Sequence, residues 1–311
     1  MIKILNWISN HLLQLAIGIS IFSLIFPQIG SALNWLVTPI LAIMVFNVSM
    51  TIKAEDLRQI KNNPLIIIWS VFLQFVPMVL FSFLLSKSFF HTEDLKIGQL
   101  LLGSLPADIS APLMVYLIGG STALATSMLV LSMLFTPFLL PNIIKLLGGI
   151  SLKVPTSYLV IELILIILLP VILGIILNKI SKYVRKNEDI WSGNASLCYV
   201  ILLFIVVSTN ATSIISLGTF AILILFVELL LNLFGYLLAF VTKLIFKKEK
   251  YFLPILFLTS SKEFGIASAS IDTMKLNSSI VIPSTFYAVV QMISMPTMVK
   301  IINSIKNKKQ T

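Results

Sequence analysis

The run Leu163-Ile-Leu-Ile-Ile-Leu-Leu-Pro-Val-Ile-Leu173 contains no charged or polar side chain and no alternation between polar and apolar positions. A segment that crosses lipid must satisfy its backbone hydrogen bonds internally, so it is either a helix or a strand of a closed barrel. Barrel strands alternate between a lipid-facing and a lumen-facing side chain. The run therefore predicts a transmembrane helix.

Similar runs recur along the whole chain of 311 residues, of which 58% are hydrophobic and 11% charged. Soluble domains carry about 25% charged residues, and about 20 apolar residues suffice to cross a bilayer core of ~30 Å. The composition thus predicts an all-α polytopic membrane protein. We predict ten transmembrane helices, at 12–29, 32–51, 64–86, 97–118, 122–144, 157–178, 193–211, 217–242, 251–272 and 279–301.

The basic residues follow the predicted topology. Lys and Arg total 22 against 12 Asp and Glu, a net charge of +10. With the N-terminus inside, 16 basic residues fall on inner segments, beginning with Lys3 and ending with Lys309, and only 5, including Lys153 and Lys275, fall in outer loops. This asymmetry predicts a plasma (inner) membrane protein with both termini cytoplasmic. The lipid bilayer is then the expected partner of the apolar surface, with neither a nucleic acid nor an obligate protein partner.

The two halves of the chain resemble each other. Pro137 and Pro296 lie 159 residues apart in similar surroundings, and the same offset carries Pro106 onto Gly265. Five spans per half is an odd number, so the second half must be inverted relative to the first. We therefore predict a single transporter domain composed of repeats 1–150 and 151–311. The match is short, and a chance similarity between proline-punctuated helices is the alternative.

Two polar breaks interrupt apolar segments at corresponding places. The first reads Gly103-Ser-Leu-Pro-Ala-Asp-Ile-Ser-Ala-Pro112, and its two prolines exclude an unbroken helix. The second reads Thr259-Ser-Ser-Lys-Glu-Phe-Gly-Ile-Ala-Ser268 and places two charges in mid-span. Each such charge costs ~2.5–3.5 kcal/mol on insertion scales, so it requires a partner or a wet cavity. Helices broken in matching positions indicate a transporter's binding site.

The breaks supply most of the candidate site. We expect the broken helices four and nine to cross, which would bring Asp108 near Glu263. The alternative is that Asp108, Lys262 and Glu263 form a purely structural ion-pair cluster. Glu228 either lines the cavity or neutralises Lys262. The predicted substrate- and ion-binding residues are Gln74, Pro106, Asp108, Ser110, Glu228, Asn232, Ser261, Lys262, Glu263 and Ser268.

Ordered motifs across most of the chain resemble one family. Pro39-Ile-Leu-Ala-Ile-Met-Val-Phe-Asn-Val-Ser-Met, Gln74-Phe-Val-Pro-Met, Tyr116-Leu-Ile-Gly-Gly-Ser-Thr and Glu263-Phe-Gly-Ile-Ala are similar to the second, third, fourth-to-fifth and ninth spans of the bile acid:sodium symporter family. The resemblance implies ten spans in a core and a panel domain, with broken spans four and nine crossing near two sodium sites.

The resemblance carries over unevenly to individual residues. The family's sodium-binding glutamate corresponds to Glu263 and its span-three glutamine to Gln74, which implies a possible sodium ion at these two residues. Other ligand positions have changed: they fall on Ala111-Pro112, Ala125, Leu129 and Ala267. One sodium site has therefore lost its side-chain ligands. We expect the Lys262 ammonium to replace that ion, paired with Asp108 or Glu263.

These observations predict a secondary active transporter of a small organic anion, bile acid-like or another carboxylate, coupled to sodium or protons by alternating access. A cation/proton exchanger of similar architecture is the alternative. An intramembrane hydrolase is not favoured, because the sequence lacks His-Glu-x-x-His, Gly-x-Gly-Asp and Gly-x-Ser-x-Gly. We expect no catalytic residues and no cofactor, with Na+ as the possible coupling ion.

Overall fold

The computed structural model of the chain describes residues 4–5, 7–8, 11–148, 156–274 and 276–308. Every regular element within these ranges is helical, so the all-α prediction is confirmed. The boundary expected between the two repeats, at 150–151, lies outside the described residues. The same is true of four basic residues used for the topology: Lys3, Lys153, Lys275 and Lys309.

The α-helices are numbered in chain order. They are α1 (Leu12–Ile25), α2 (Pro27–Ser31), α3 (Val37–Ser49), α4 (Ala54–Asn62), α5 (Pro64–Phe75), α6 (Pro77–Phe89), α7 (Glu93–Ser104), α8 (Ala111–Leu117), α9 (Thr122–Leu147), α10 (Thr156–Leu163), α11 (Leu169–Ile180), α12 (Lys182–Lys186), α13 (Glu188–Ser216), α14 (Phe220–Phe246), α15 (Glu249–Thr259), α16 (Phe264–Met274) and α17 (Ile282–Lys308). Short 3-10 turns cover Asn34–Leu36 and Ser278–Val281, and a π-helical turn, Ile164–Leu168, joins α10 to α11.

Within the described residues, six helical segments are long and apolar enough to cross a membrane, which confirms a membrane-spanning fold. They are Pro64–Phe89, Thr122–Leu147, Ser157–Ile180, Glu188–Ser216, Phe220–Phe246 and Ser278–Lys306. The other four predicted spans coincide with two shorter apolar helices, Gln14–Ile25 and Asn34–Ser49, and with the two interrupted segments. The count of ten spans stays a prediction.

The distribution of side chains is that of a protein surrounded by lipid. Large apolar side chains point outward along the long helices, for example Leu65, Ile222 and Leu244, which are 69%, 68% and 74% exposed. Polar and charged side chains such as Asp108 and Lys262 are fully buried. Apolar side chains on the outside and polar groups within the bundle match a hydrocarbon environment.

The helices pack in two groups. In one group, α13 lies along α1 and α3, and α11 packs on α3. In the other, α14 packs on α15 and α17, and α6 packs on α7. Helices α7, α8 and α15 of the interrupted segments pack with the second group, whereas α16 packs mainly on α3 and α10.

The first interruption has a local cause, and the second lies close to a neighbouring helix. Helix α7 ends at Ser104, and α8 begins only at Ala111, with Pro112 in its first turn, where a missing N–H is harmless. We call residues 105–110 the first break. The second break, residues 260–263, separates α15 from α16. Gly235 lets α14 approach it closely, because a Cβ atom there would lie 2.5 Å from the Thr259 carbonyl oxygen.

Candidate functional site

The two breaks are in direct contact through their main chains. The Glu263 amide donates to the Pro106 carbonyl oxygen at 3.0 Å. In the opposite direction, the Asp108 amide donates to Ser261 Oγ at 3.3 Å and the Ile109 amide donates to Glu263 Oε2 at 3.4 Å. The contact expected between the breaks is thus present, and it brings Asp108 and Glu263 into one buried cluster.

Lys262 extends from the second break into the end of α7. Its side chain is fully buried, and its Nζ atom donates to the carbonyl oxygens of Gly103 and Leu105, both at 2.8 Å, and of Gln74 at 3.2 Å. Within the described ranges the ammonium forms no ion pair with a carboxylate. The expected pairing with Asp108 or Glu263 was therefore wrong: main-chain oxygens take all three of its donors.

Asp108 is held by neutral donors. Its Oδ1 atom accepts from the Ser110 amide at 2.7 Å and also from the Ser110 hydroxyl. Its Oδ2 atom accepts from Gln291 Nε2 at 3.0 Å. No cationic side chain is paired with either buried carboxylate, Asp108 or Glu263, in the part of the chain that the structure describes. Two buried carboxylates without a cationic partner form a place that favours a bound cation or a proton.

Two glutamine side chains connect the flanking helices to the breaks. Gln74 Oε1 accepts from the Ala107 amide at 3.1 Å, while its Nε2 donates to Ser70. Gln291, on α17, accepts from the Lys262 amide at 2.8 Å and donates to the Lys262 carbonyl at 3.1 Å as well as to Asp108. Sequence reasoning missed Gln291, although a buried amide within an apolar span was the same signal that singled out Gln74.

Glu228 was expected either to line the cavity or to neutralise Lys262, and it does neither. Its Oε2 atom accepts from Gln99 Nε2 at 3.4 Å, on α7. One turn along α14, Asn232 Nδ2 donates to the Ser260 carbonyl at 2.6 Å. Glu228 therefore lies against α7, and Asn232 is hydrogen-bonded to the second break.

A cavity of about 620 Å³ opens beside the first break. Ser110 is half-buried and lines it, together with Ile109, whereas Ser268 is buried on α16 and does not contribute to the lining. Tyr199, on α13, also faces the cavity, and its ring packs edge-on against Phe264 with 5.3 Å between centroids. The hydroxyl-bearing lining residues include Thr51, Ser110, Thr126, Ser192 and Tyr199. A cavity of this volume accommodates a small organic molecule.

The charged lining residues come from helix ends. Lys53 precedes α4 and pairs with Glu188 at 3.1 Å, and Asp56 and Asp189 complete the set. Burial raises the pKa of the Asp56 carboxyl, and the hydrogen bond from the Lys53 amide opposes this rise only in part. The cavity lining therefore contains three carboxylates and one lysine.

The described residues contain no cluster of three or more His, Cys, Asp or Glu side chains that would hold a metal ion. Any hard cation would instead be bound by one or two carboxylates together with amide and main-chain oxygens. Glu263 and Gln74, the expected sodium ligands, both hydrogen-bond to the first break, through Ile109 and Ala107. Their role as ion ligands stays a prediction.

Comparison with known proteins identifies the relatives of this chain. The sequence model of the sodium bile acid symporter family matches residues 38–227. An uncharacterised sodium-dependent transporter of Bacillus subtilis, YocS, is 28% identical over 225 residues, which cover 72% of this chain and 69% of YocS. The match to the family includes Gln74 and the first break, and it ends before the second break.

Two further relatives are more distant. The uncharacterised protein YbaS of Bacillus subtilis is 24% identical over 162 residues, which cover 52% of this chain and 53% of YbaS. The probable sodium/metabolite cotransporter BASS1 of the Arabidopsis thaliana chloroplast is 25% identical over 208 residues, 67% of this chain. This chain matches about half the length of both proteins, 53% and 51%.

Proposed function

We propose, from the premise that this chain belongs to the sodium bile acid symporter family, that it is a secondary active transporter which couples a small organic anion to sodium or protons. One observation carries the proposal. Glu263 is a fully buried carboxylate at the contact of two helix breaks, and no cationic side chain pairs with it within the described ranges. Binding a cation or a proton neutralises this carboxylate and so lowers the free-energy cost of burying its charge.

The proposed topology has ten spans in two inverted repeats, 1–150 and 151–311, with both termini on the cytoplasmic side of the plasma membrane. Related hydrogen bonds in the two halves support it. Gln74 on α5 bonds to the first break, and Asn232 on α14 bonds to the second. In this topology the charged lining residues lie on the cytoplasmic side, and the cavity opens inward.

The proposed coupling site consists of Glu263, Gln74 and Asp108. The substrate occupies the cavity beside the first break, next to Ser110 and Tyr199. Because Asp56, Glu188 and Asp189 would repel an anion, the anionic group of the substrate lies next to Ser110 and Tyr199. Alternating access then requires the α1–α3–α11–α13 group and the group that holds the breaks to move relative to each other.

A cation/proton exchanger is the second candidate. The three carboxylates against one lysine in the cavity lining favour it, because such a lining attracts cations. An exchanger would move cations through the same cavity with no organic substrate.

The test is uptake by the purified protein reconstituted into proteoliposomes. Ligand stabilisation is first screened across bile acids, keto acids, vitamin carboxylates and oxyanions, and the hits are then radiolabelled. We expect uptake to be accelerated by an inward sodium or proton gradient and lost with Glu263→Gln. Proton flux driven by sodium or potassium in the absence of any organic anion would instead identify the exchanger. Ion gradients with no effect on either flux would refute both candidates.

A further inference from the structure

Three main-chain oxygens converge on the Lys262 ammonium. Gly103 belongs to the last turn of α7, Leu105 follows its end, and Gln74 belongs to the last turn of α5. Their carbonyl oxygens lie 2.8, 2.8 and 3.2 Å from Nζ. Carbonyls at helix C-termini lack intrahelical donors and carry the negative end of the helix dipole. Two helix C-termini therefore direct their negative ends at one point.

The Gly103 carbonyl is released from the helix by a specific contact. In a continuous helix its donor would be the amide of Ala107, four residues on. That amide instead donates to Gln74 Oε1. The Gln74 side chain thus frees one of the oxygens that bind Lys262, while the Gln74 main chain supplies another. Neither the end of α7 nor the hydrogen bond between Gln74 and Ala107 involves the Lys262 side chain.

A group of main-chain oxygens of this kind binds monovalent cations in other settings, where backbone carbonyls replace the hydration shell of the ion. An ammonium has three N–H donors and no acceptor, so three converging acceptors satisfy it completely. In the described residues no carboxylate is paired with Nζ, so the neutral oxygens and the two helix dipoles are what stabilise its charge.

We propose that these three oxygens form a monovalent-cation site that the chain fills permanently with its own Lys262 ammonium. Removing the side chain without filling its space turns this position into a binding site for free ammonium or sodium. The consequence for coupling rests on the proposed transport function: a tethered cation is not exchanged during the cycle, so this position contributes no transported ion.

The experiment compares three purified full-length proteins: the wild type, Lys262→Ala and Lys262→Met. Alanine leaves space beside the three oxygens, whereas methionine removes the charge but fills the space with an apolar chain of similar length. Thermal unfolding is followed by tryptophan fluorescence in choline chloride and in ammonium, methylammonium or sodium chloride at equal ionic strength. The readout requires no transport, so the proposed function and this proposal fail independently.

We expect both variants to unfold at a lower temperature than the wild type in choline. Ammonium or sodium should raise the midpoint of Lys262→Ala saturably, by about 3–5 °C beyond any rise in the wild type, and should leave Lys262→Met no more responsive than the wild type. The absence of any cation-specific recovery of Lys262→Ala, including failure to obtain folded protein when ammonium is present throughout purification, would overturn the proposal. So would a Lys262→Met protein as stable as the wild type, because charge would then be dispensable at this position.

Discussion

The first and second breaks interrupt similar helices, yet they contribute different parts of the molecule to their contact. The first break contributes main-chain atoms: the carbonyls of Leu105 and Pro106 and the amides of Ala107, Asp108 and Ile109 all bond to groups outside it. The second break contributes mainly side chains, since Ser261, Lys262 and Glu263 each bond to a main-chain atom at or next to the first.

Two breaks that meet in one buried contact therefore need not carry the same chemistry. Pro106 in the first break and Pro112 just after it prevent this backbone from forming helical hydrogen bonds, and the buried N–H and C=O groups must find partners elsewhere. Side chains of the second break and of the flanking helices provide them. The second break thus contributes the buried side chains of Lys262 and Glu263, and the first break contributes main-chain groups to which they bond.

The largest effect is the difference in cation-coupled uptake between two variants, one with Glu263 replaced and one with Asp108 replaced. These residues are the carboxylates of the two breaks. Glu263→Gln should lower cation-coupled uptake roughly 30- to 150-fold, because a charge-assisted contact of roughly 2–3 kcal/mol corresponds to this loss of cation affinity. Asp108→Asn should lower uptake about tenfold or less, since Ser110 and Gln291 already satisfy that carboxylate. Uptake kinetics in proteoliposomes across sodium concentrations and pH values measure both effects.

Both proteins must first elute as folded, monodisperse species, so that a loss of uptake reports on the ion site. Equal losses of uptake in the two variants would show that the carboxylates of the two breaks contribute equally to coupling. Unchanged ion dependence in Glu263→Gln would remove this residue from the coupling site.

The next effect concerns the two glutamines. Gln291→Leu should lower the free energy of unfolding by roughly 2–4 kcal/mol, because it leaves the Lys262 amide, the Lys262 carbonyl and the Oδ2 atom of Asp108 without a partner. Gln74→Leu should cost roughly 1–2 kcal/mol, since its one bond to a break is to Ala107. Reversible unfolding in mixed micelles gives both values. A larger loss for Gln74→Leu would mean that the first break depends more on its own half than on the second.

A smaller effect should follow from moving the second break relative to α14. Gly235→Ala should cost roughly 1–3 kcal/mol, because the added methyl group collides with the Thr259 carbonyl and forces the helix away. Gly18→Ala is the matched control: no atom lies within 4 Å of the added group, and the unfolding free energy should change by less than about 1 kcal/mol. If the two substitutions behave alike in the same unfolding assay, α14 does not hold the second break in place.

The smallest effect is a coupling close to zero between Lys262 and Asp108. The two side chains form no ion pair, so a double-mutant cycle of Lys262→Ala and Asp108→Asn should be additive to within about 0.5 kcal/mol. Each corner of the cycle is measured by unfolding in choline buffer. A substantial rescue of Lys262→Ala by Asp108→Asn would instead show that the stranded carboxylate, and not the vacated carbonyl oxygens, accounts for the loss of stability.

The sequence sufficed to locate both breaks and to anticipate that they meet. Prolines at 106 and 112 and charges at 262 and 263 are incompatible with plain lipid-facing helices, and this incompatibility can be read without a structure. The membrane-spanning, all-α fold followed in the same way from runs of apolar residues. Ten spans were expected, and six are single helices of spanning length.

The partners of the charged residues could not be read from the sequence. Lys262 was expected to pair with a carboxylate, but its acceptors depend on which main-chain amides are drawn away from their helices, as Ala107 is by Gln74. Glu228 was expected near Lys262 or the cavity, but the relative rotation of α14 and α7 places it against Gln99. Such rotations are set by packing among many helices, which one-dimensional periodicity does not encode.

The carbonyl groups around Lys262 have a consequence for how such a site changes over evolutionary time. Every amino acid carries the same carbonyl, so Leu105 can mutate to another apolar residue while the oxygen it presents to the ammonium persists. Lys262 cannot be replaced in this way, because its contacts are made by the side-chain ammonium. Substitutions should therefore change the side chain at position 105 and leave its carbonyl oxygen in place. A search that judges importance from side-chain variability alone would then overlook Leu105 as a ligand of the ammonium.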